Sequence, residues 1–161
     1  MKPFLIVVLI MFTGCASKAH AFNELLIGTQ ADKVRVLLPH YTDDKQSYSD
    51  VSDCYYLQPK NDKAGPYIMI INDMVVRFDV VDKTPKILTE EGVGIGSTKQ
   101  EVLKAYPQAL LSPHPYLGQA GEYIEVTLPS GKGLIFETEF DVVAQYRLGR
   151  YPEIQYIEGC S

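Results

Sequence analysis

The side chains that could do chemistry are few and dispersed. Glu122 with Glu125 and Glu137 with Glu139 pair carboxylates, Ser112 and Ser130 carry hydroxyls, and His20, His40 and His114 could serve as bases or ligands. Acid–base or nucleophilic catalysis needs such groups to converge with a partner that tunes them. The glutamate pairs fall within alternating segments, where they read as solvated strand edges. The serines sit in turn-like contexts without a nucleophile elbow, and the histidines have no acid partner at a recognisable spacing. Neither do they have metal-ligand spacing with the cysteines. Glycine and hydroxyl residues in "GIGST" suggest a phosphate loop but lack its lysine spacing, and "PSGKG" at 129–133 reads as a hairpin turn. The expectation is a protein that is not an enzyme and has no cofactor and no metal site.

What remains is binding. Eleven tyrosines and six phenylalanines, with no tryptophan, supply the aromatic material of a protein interface and make a sugar site less favoured. Tyr116, Arg147, Arg150 and Tyr151 lie in or beside loops of "SPHPYLGQAGEY" and "RLGRYPEIQY", where side chains are free to meet a partner. With 46% hydrophobic and 22% charged residues in 161, the chain has the balance of a folded protein with a core. A net charge of -5 argues against nucleic acid and against anionic surfaces as partners.

The amino terminus, "MKPFLIVVLIMFTGC", has one cation, an apolar run from Phe4 to Phe12 and small residues leading to Cys15. That run is too short for a permanent bilayer span and reads as a signal peptide. "FTGC" resembles the lipobox of bacterial lipoproteins, which implies removal of residues 1–14, lipidation of Cys15 with an acyl group such as palmitate, and a tether over 15–25. Ala16, rather than aspartate, after the cysteine implies an outer-membrane destination facing the periplasm. The competing reading is a secretory signal cleaved after "AHA" at Ala21. With Cys15 assigned to lipid, Cys54 and Cys160 remain as a pair in an oxidising compartment, where a disulfide is expected and two independent thiols are the alternative.

A shift of 68 positions lays Ile27 on Ile95, Gly28 on Gly96, Val34 on Val102, Pro39 on Pro107, Tyr55 on Tyr123, Gly65 on Gly133, Asp73 on Asp141 and Val75 on Val143. Self-similarity at a fixed period is the mark of a tandem repeat, here with units at 26–93 and 94–161. Each unit opens on a helix: Thr98 and Glu101 have capping-box spacing, and Thr29 with Asp32 offers a weaker version. Val34, Leu37 and Leu38, and likewise Val102, Leu103 and Tyr106, form the apolar stripes, and Pro39 and Pro107 end the helices. Then follow strands "CYYLQ", "YIMII" and "MVVRFDV" in one unit and "EYIEVTL", "GLIFETE" and "DVVAQYRL" in the other, each with a short fourth strand expected near Ile87 or Ile154. The fold class is α+β: two tandem helix-plus-four-strand repeats forming one antiparallel sheet with helices on one face.

On the repeat length, element order and "G-x-[ST]-x-x-[EQ]-V" helix opening, the chain over about residues 26–160 resembles the beta-lactamase inhibitory protein family and, in each half, the SmpA/OmlA type of outer-membrane assembly lipoprotein. It is also similar to bacterial lipoproteins with "YIEGC"-type tails. The resemblance implies a non-catalytic envelope lipoprotein that binds another envelope protein as scaffold, inhibitor or immunity factor. The inhibitor's cysteines close small loops within each unit, whereas Cys54 and Cys160 lie in different units, so beta-lactamase inhibition is not carried over. The alternative function is a small-ligand or glycan-binding module, with a hydrolase a distant third.

In the third strand of each unit, Val76, Phe78 and Val80, and Ala144, Tyr146 and Leu148, are expected to face the helices. Arg77, Asp79, Gln145 and Arg147 then point to the opposite face as solvated, partner-binding residues. Reversing Arg147 there is expected to weaken binding without altering the melting temperature. For the anchor, Cys15→Ala is expected to leave the precursor uncleaved or to release a soluble form. A wild-type protein that enters the aqueous phase of a detergent split with a mature amino terminus at residue 22 is the contrary result.

Overall fold

The computed structural model describes residues 26–44, 53–60, 65–81 and 87–160, so Cys15, the signal segment and His20 lie outside the described residues. Helix α1 (Ala31–Leu37) leads into β1 (Tyr41–Asp44), β2 (Cys54–Pro59), β3 (Tyr67–Ile71) and β4 (Met74–Val80). Helix α2 (Lys99–Ala105) leads into β5 (Leu110–His114), β6 (Gly118–Thr127), β7 (Gly133–Glu139) and β8 (Val142–Gly149), and a 3-10 turn follows at Glu153–Gln155. The strands form one antiparallel sheet in the order β1-β2-β3-β4-β8-β7-β6-β5. Its centre is the pairing of β4 with β8, where Phe78 faces Leu148 and Asp79 faces Arg147.

The residues that open the helices do so through the sheet. Gly28 N–H donates to Val75 O at 2.8 Å, and 68 residues on Gly96 N–H donates to Val143 O at 2.9 Å. Ala31 and Lys99 donate to Asp73 O and Asp141 O, and Val75 and Val143 donate back to Thr29 O and Ser97 O. Both glycines have positive φ, 89° and 85°, with open space where a Cβ would stand, so backbone conformation and not crowding requires glycine there. The two-residue turns Asn72–Asp73 and Phe140–Asp141 have positive φ at both central positions, as the tight hairpins β3–β4 and β7–β8 demand.

Helix α2 forms the full capping box between Thr98 and Glu101, but the N-cap of α1 is Gln30, whose side chain makes no cap bond, so the weaker Thr29–Asp32 box does not form. Leu37 is exposed, while Val34, Val102 and Tyr106 are buried. Two further expectations are corrected. The polar segment after each helix is a strand, β1 or β5, whereas Ile87 lies in a loop and Ile154 in the 3-10 turn. The alternation of β4 and β8 also breaks. Register shifts between Met69 and Ile70 and between Glu137 and Thr138 leave Val76 and Ala144 as the extra residues of two bulges. Val75 and Val143 therefore join Phe78, Val80, Tyr146 and Leu148 in the core, and Val76 packs on the other face with Cys54, Met69 and Cys160.

Two seven-residue helices, each about 10 Å long, are small against a sheet that eight strands make roughly 34 Å wide. Loop residues Ile27, Ile87 and Val93 complete the same core that takes Ala31 and Val34 from α1 and Val102 from α2. The opposite face is partly covered by residues 150–160, tied down by the Cys54–Cys160 disulfide with Cα atoms 5.4 Å apart. The bridge spans a sequence separation of 106, for which loop entropy corresponds to about 4 to 5 kcal/mol. Reduction, or Cys160→Ser, is expected to lower thermal stability by an amount of that order. Unchanged melting under reducing conditions, or both thiols found free by peptide mapping, is the contrary result.

Candidate functional site

Arg77 and Arg147 leave their strands on the face away from the helices, as alternation with the core residues Phe78 and Tyr146 expects, and lie beneath the C-terminal tail. Gly149, opposite Arg77 in the ladder, has no side chain because a Cβ there would stand 3.1 Å from Arg77 Cβ and Cγ. Arg77 Nη1 donates to Glu153 O at 3.0 Å and Tyr156 O at 2.7 Å, Nη2 to Tyr56 Oη at 2.7 Å, and Nε pairs with Asp79 at 3.0 Å. Arg147 Nε donates to Ile154 O at 2.7 Å, its Nη1 pairs with Glu137, and its guanidinium lies 5.2 Å from the centre of the Tyr123 ring. The two guanidiniums thus donate to three carbonyls of the tail, those of Glu153, Ile154 and Tyr156.

This corrects the expectation of four solvated residues. Arg77 and Arg147 are only 3% and 5% exposed, Asp79 is half-buried, and Gln145 alone is exposed. Burial pushes the Asp79 carboxyl above the usual carboxylate range, and the Arg77 guanidinium beside it pulls the other way. Glu137, expected at a solvated edge, is buried too. It receives Arg147, a 2.7 Å hydrogen bond from Gln145 Nε2, and His114 Nε2 at 3.2 Å. His114 therefore does have an acid partner, supplied by a strand 23 residues away. Its Nδ1 accepts the backbone N–H groups of Tyr116 and Leu117 at 3.1 and 3.3 Å, so the proton resides on Nε2 and points at Glu137.

Beside the tail, the same sheet face holds a groove of about 760 Å³. Its lining includes Arg77, Asp79, Gln145, Arg147 and Tyr116, which brings five of the seven expected partner-binding residues into one place. Arg150 and Tyr151 are not among its lining. Arg150 pairs with Glu153 at 2.6 Å, and Tyr151 donates to Glu125 at 2.7 Å and lies over Gly133. Tyr116 is 67% exposed at the rim, and its hydroxyl donates to Glu158 of the tail, whose carboxylate pushes the phenol up. Tyr56, Tyr67, Tyr123, His114 and Glu137 also line it. Sequence spacing could not find these, because each comes from a different strand.

Phe140 is a further residue the sequence reading missed. Its ring is 81% exposed at the tip of the β7–β8 hairpin, in a positive-φ conformation of 47° that Asn72 occupies in the other tight hairpin. Its N–H donates to Ala120 O at 2.8 Å, which sets the tip against the start of β6 and near the rim residues Tyr116 and Leu117 in the chain. Among the described residues no group of three or more His, Cys, Asp or Glu could hold a metal ion.

Buried guanidiniums that hold carbonyls and carboxylates are costly to lose one at a time. Arg147→Glu, and separately Arg77→Met, are expected to destabilise the fold by about 3 to 5 kcal/mol, on the order of 10 °C in melting temperature. Lys104→Ala on exposed α2 is expected to stay within about 0.5 kcal/mol. Thermal melts of the three variants check this, and unchanged melting of Arg147→Glu is the contrary result. No family model matches this chain, and neither the curated proteins nor the solved structures contain a match, so its function is read from its residues and their geometry.

Proposed function

We propose that this chain is a non-catalytic lipoprotein, anchored through Cys15 to the outer membrane and facing the periplasm, whose groove binds a segment of another envelope protein. The observation that carries the binding reading is the groove itself: a polar and aromatic concavity on the sheet face not covered by helices, with the exposed Tyr116 in its lining and the exposed Phe140 next in the chain to the lining residue Glu139. Aromatic and arginine side chains in concave, partly desolvated surroundings are the usual anchors of protein recognition. The non-catalytic reading is supported by His114, whose two ring nitrogens are both committed to protein partners, and by Glu137, which is shared among three of them. Neither is left to move a proton on a substrate.

The same proposal includes a tandem origin, with units 26–93 and 94–161. Its support is the recurrence, 68 residues apart, of the glycine-to-strand hydrogen bonds, the two-residue turns and the bulges at Val76 and Ala144. In the second hairpin one turn position departs from turn chemistry: Phe140 replaces the Asn72 of the first. A large exposed aromatic in a left-handed conformation costs about 1 kcal/mol, and a partner contact is the use that offsets it.

Immobilised protein is expected to retain a stoichiometric partner from solubilised outer membranes. Tyr116→Ala and Phe140→Asn are expected to weaken that capture about ten-fold each, while Phe140→Asn raises stability by on the order of 1 kcal/mol. Capture of no protein, together with saturable binding of a small ligand or glycan to the groove, transfers the function to the alternative module. Capture unaffected by either substitution removes the site from the groove.

A further inference from the structure

The outer edge of β5 is separate from the groove, which none of Leu110, Leu111, Ser112 and Pro113 lines. Leu110 and Leu111 stand 72% and 46% exposed there, the only adjacent pair of exposed large hydrophobic residues on a strand among the described residues. β5 contains no Asp, Glu, Lys or Arg, in a chain of net charge -5. The sheet's other edge strand, β1, is four residues long and includes Asp43 and Asp44, a composition that deters a further strand. An edge without such charges, with apolar side chains exposed, is a template for pairing.

Which backbone groups of β5 are open follows from β6, because N–H and C=O turn to alternate sides at successive residues of a strand. Glu122 N–H donates to Thr138 Oγ1 at 3.1 Å, and Glu122 C=O accepts from the same hydroxyl at 3.2 Å, so the polar groups of Glu122 turn toward β7. Those of Tyr123 and Glu125 turn toward β5, onto Ser112 and Leu110, their partners in register. Leu111 and Pro113 are left facing outward, and Pro113 has no N–H. Ala109 N–H already donates to Tyr106 O at 3.0 Å. Among residues 109–113, Leu111 therefore holds the single open N–H, beside its own open C=O. An incoming antiparallel strand has to centre on Leu111.

We infer that the outer edge of β5 pairs with that of a second copy of this chain, antiparallel and centred on Leu111, so that the eight-stranded sheet is doubled. About the two-fold axis each Leu111 N–H donates to the other Leu111 C=O, a reciprocal pair that needs no second kind of surface. In the ladder Leu111 faces Ile124, a fully buried core residue, so the two leucines meet on the helix side and join the edges of two cores. Leu110, on the opposite face by alternation, lies across from Ser112 of the second copy. Since β1 deters pairing, association closes at two copies.

Sedimentation of the purified protein over a range of concentrations is expected to show monomer and dimer in equilibrium and no larger species. Leu111→Lys is expected to weaken the dimer at least ten-fold without altering thermal melting, and Leu37→Lys, at an exposed position of α1, to leave it unchanged. Leu111→Cys places two thiols on Cα atoms about 5.5 Å apart, within disulfide reach. It is expected to give a dimer on non-reducing gels of whole envelopes that reductant dissolves, and Leu37→Cys is expected to give none. Should Leu111→Lys melt early, the cross-link decides. A monomer at every concentration without the cross-link overturns the inference, as does a dimer that Leu111→Lys leaves intact or assembly that grows beyond two copies. If the wild type stays monomeric while Leu111→Lys loses a different protein retained from outer membranes, the edge takes a foreign strand and the second copy is overturned.

Discussion

The fold depends on two buried guanidiniums more than on any other polar contact. Arg77 and Arg147 rise from the two central strands and hold the carbonyls of residues 153, 154 and 156, which closes the C-terminal tail over a face that the short helices do not reach. Each guanidinium has a carboxylate of its own, so the charges are removed from water as pairs rather than singly. Only in that form is burial of an ion tolerable. The disulfide then fixes the end of the tail to β2, and the groove exists because the tail covers part of the face and leaves the rest.

The same arginines link stability to the binding surface. Arg147 supports Glu137, Glu137 receives His114, and His114 accepts the amides that set the turn carrying Tyr116. A rim aromatic is thus positioned by a buried polar chain spanning three strands. Loss of any member leaves another buried group unpaired, so such chains are cooperative and act as rigid supports. Function proposed for the rim and structure at the wall are different properties of adjoining residues, which is why binding is tested at Tyr116 and Phe140 rather than at the arginines.

The polar alternation in β4 and β8 is legible in the sequence, and so is the antiparallel α+β class, because period-2 patterning and short turns declare strands directly. Its failure is local and has one cause. A bulge adds one residue to one strand, so the residues before it and after it no longer share a single alternation. Val75 rather than Val76, and Val143 rather than Ala144, face the core for this reason. Strands β1 and β5 are not legible because both are short edge strands without apolar alternation: β1 is four residues with two aspartates, and β5 exposes four of its five residues and contains Pro113.

By itself the sequence determined the local elements: glycines where φ must be positive, the Thr98–Glu101 cap, the turn at 129–133, and the pair of cysteines that join. These follow from interactions within a few residues or from the count of possible partners. Only the tertiary structure decided which arginines are buried, that His114 has an acid partner, and that tyrosines from three strands and the rim of a turn line one groove. Those depend on registers and bulges, and on where a tail that joins no strand of the sheet comes to rest. Such a tail is placed by long-range contacts to Arg77 and Arg147, and no periodicity in its own residues records them.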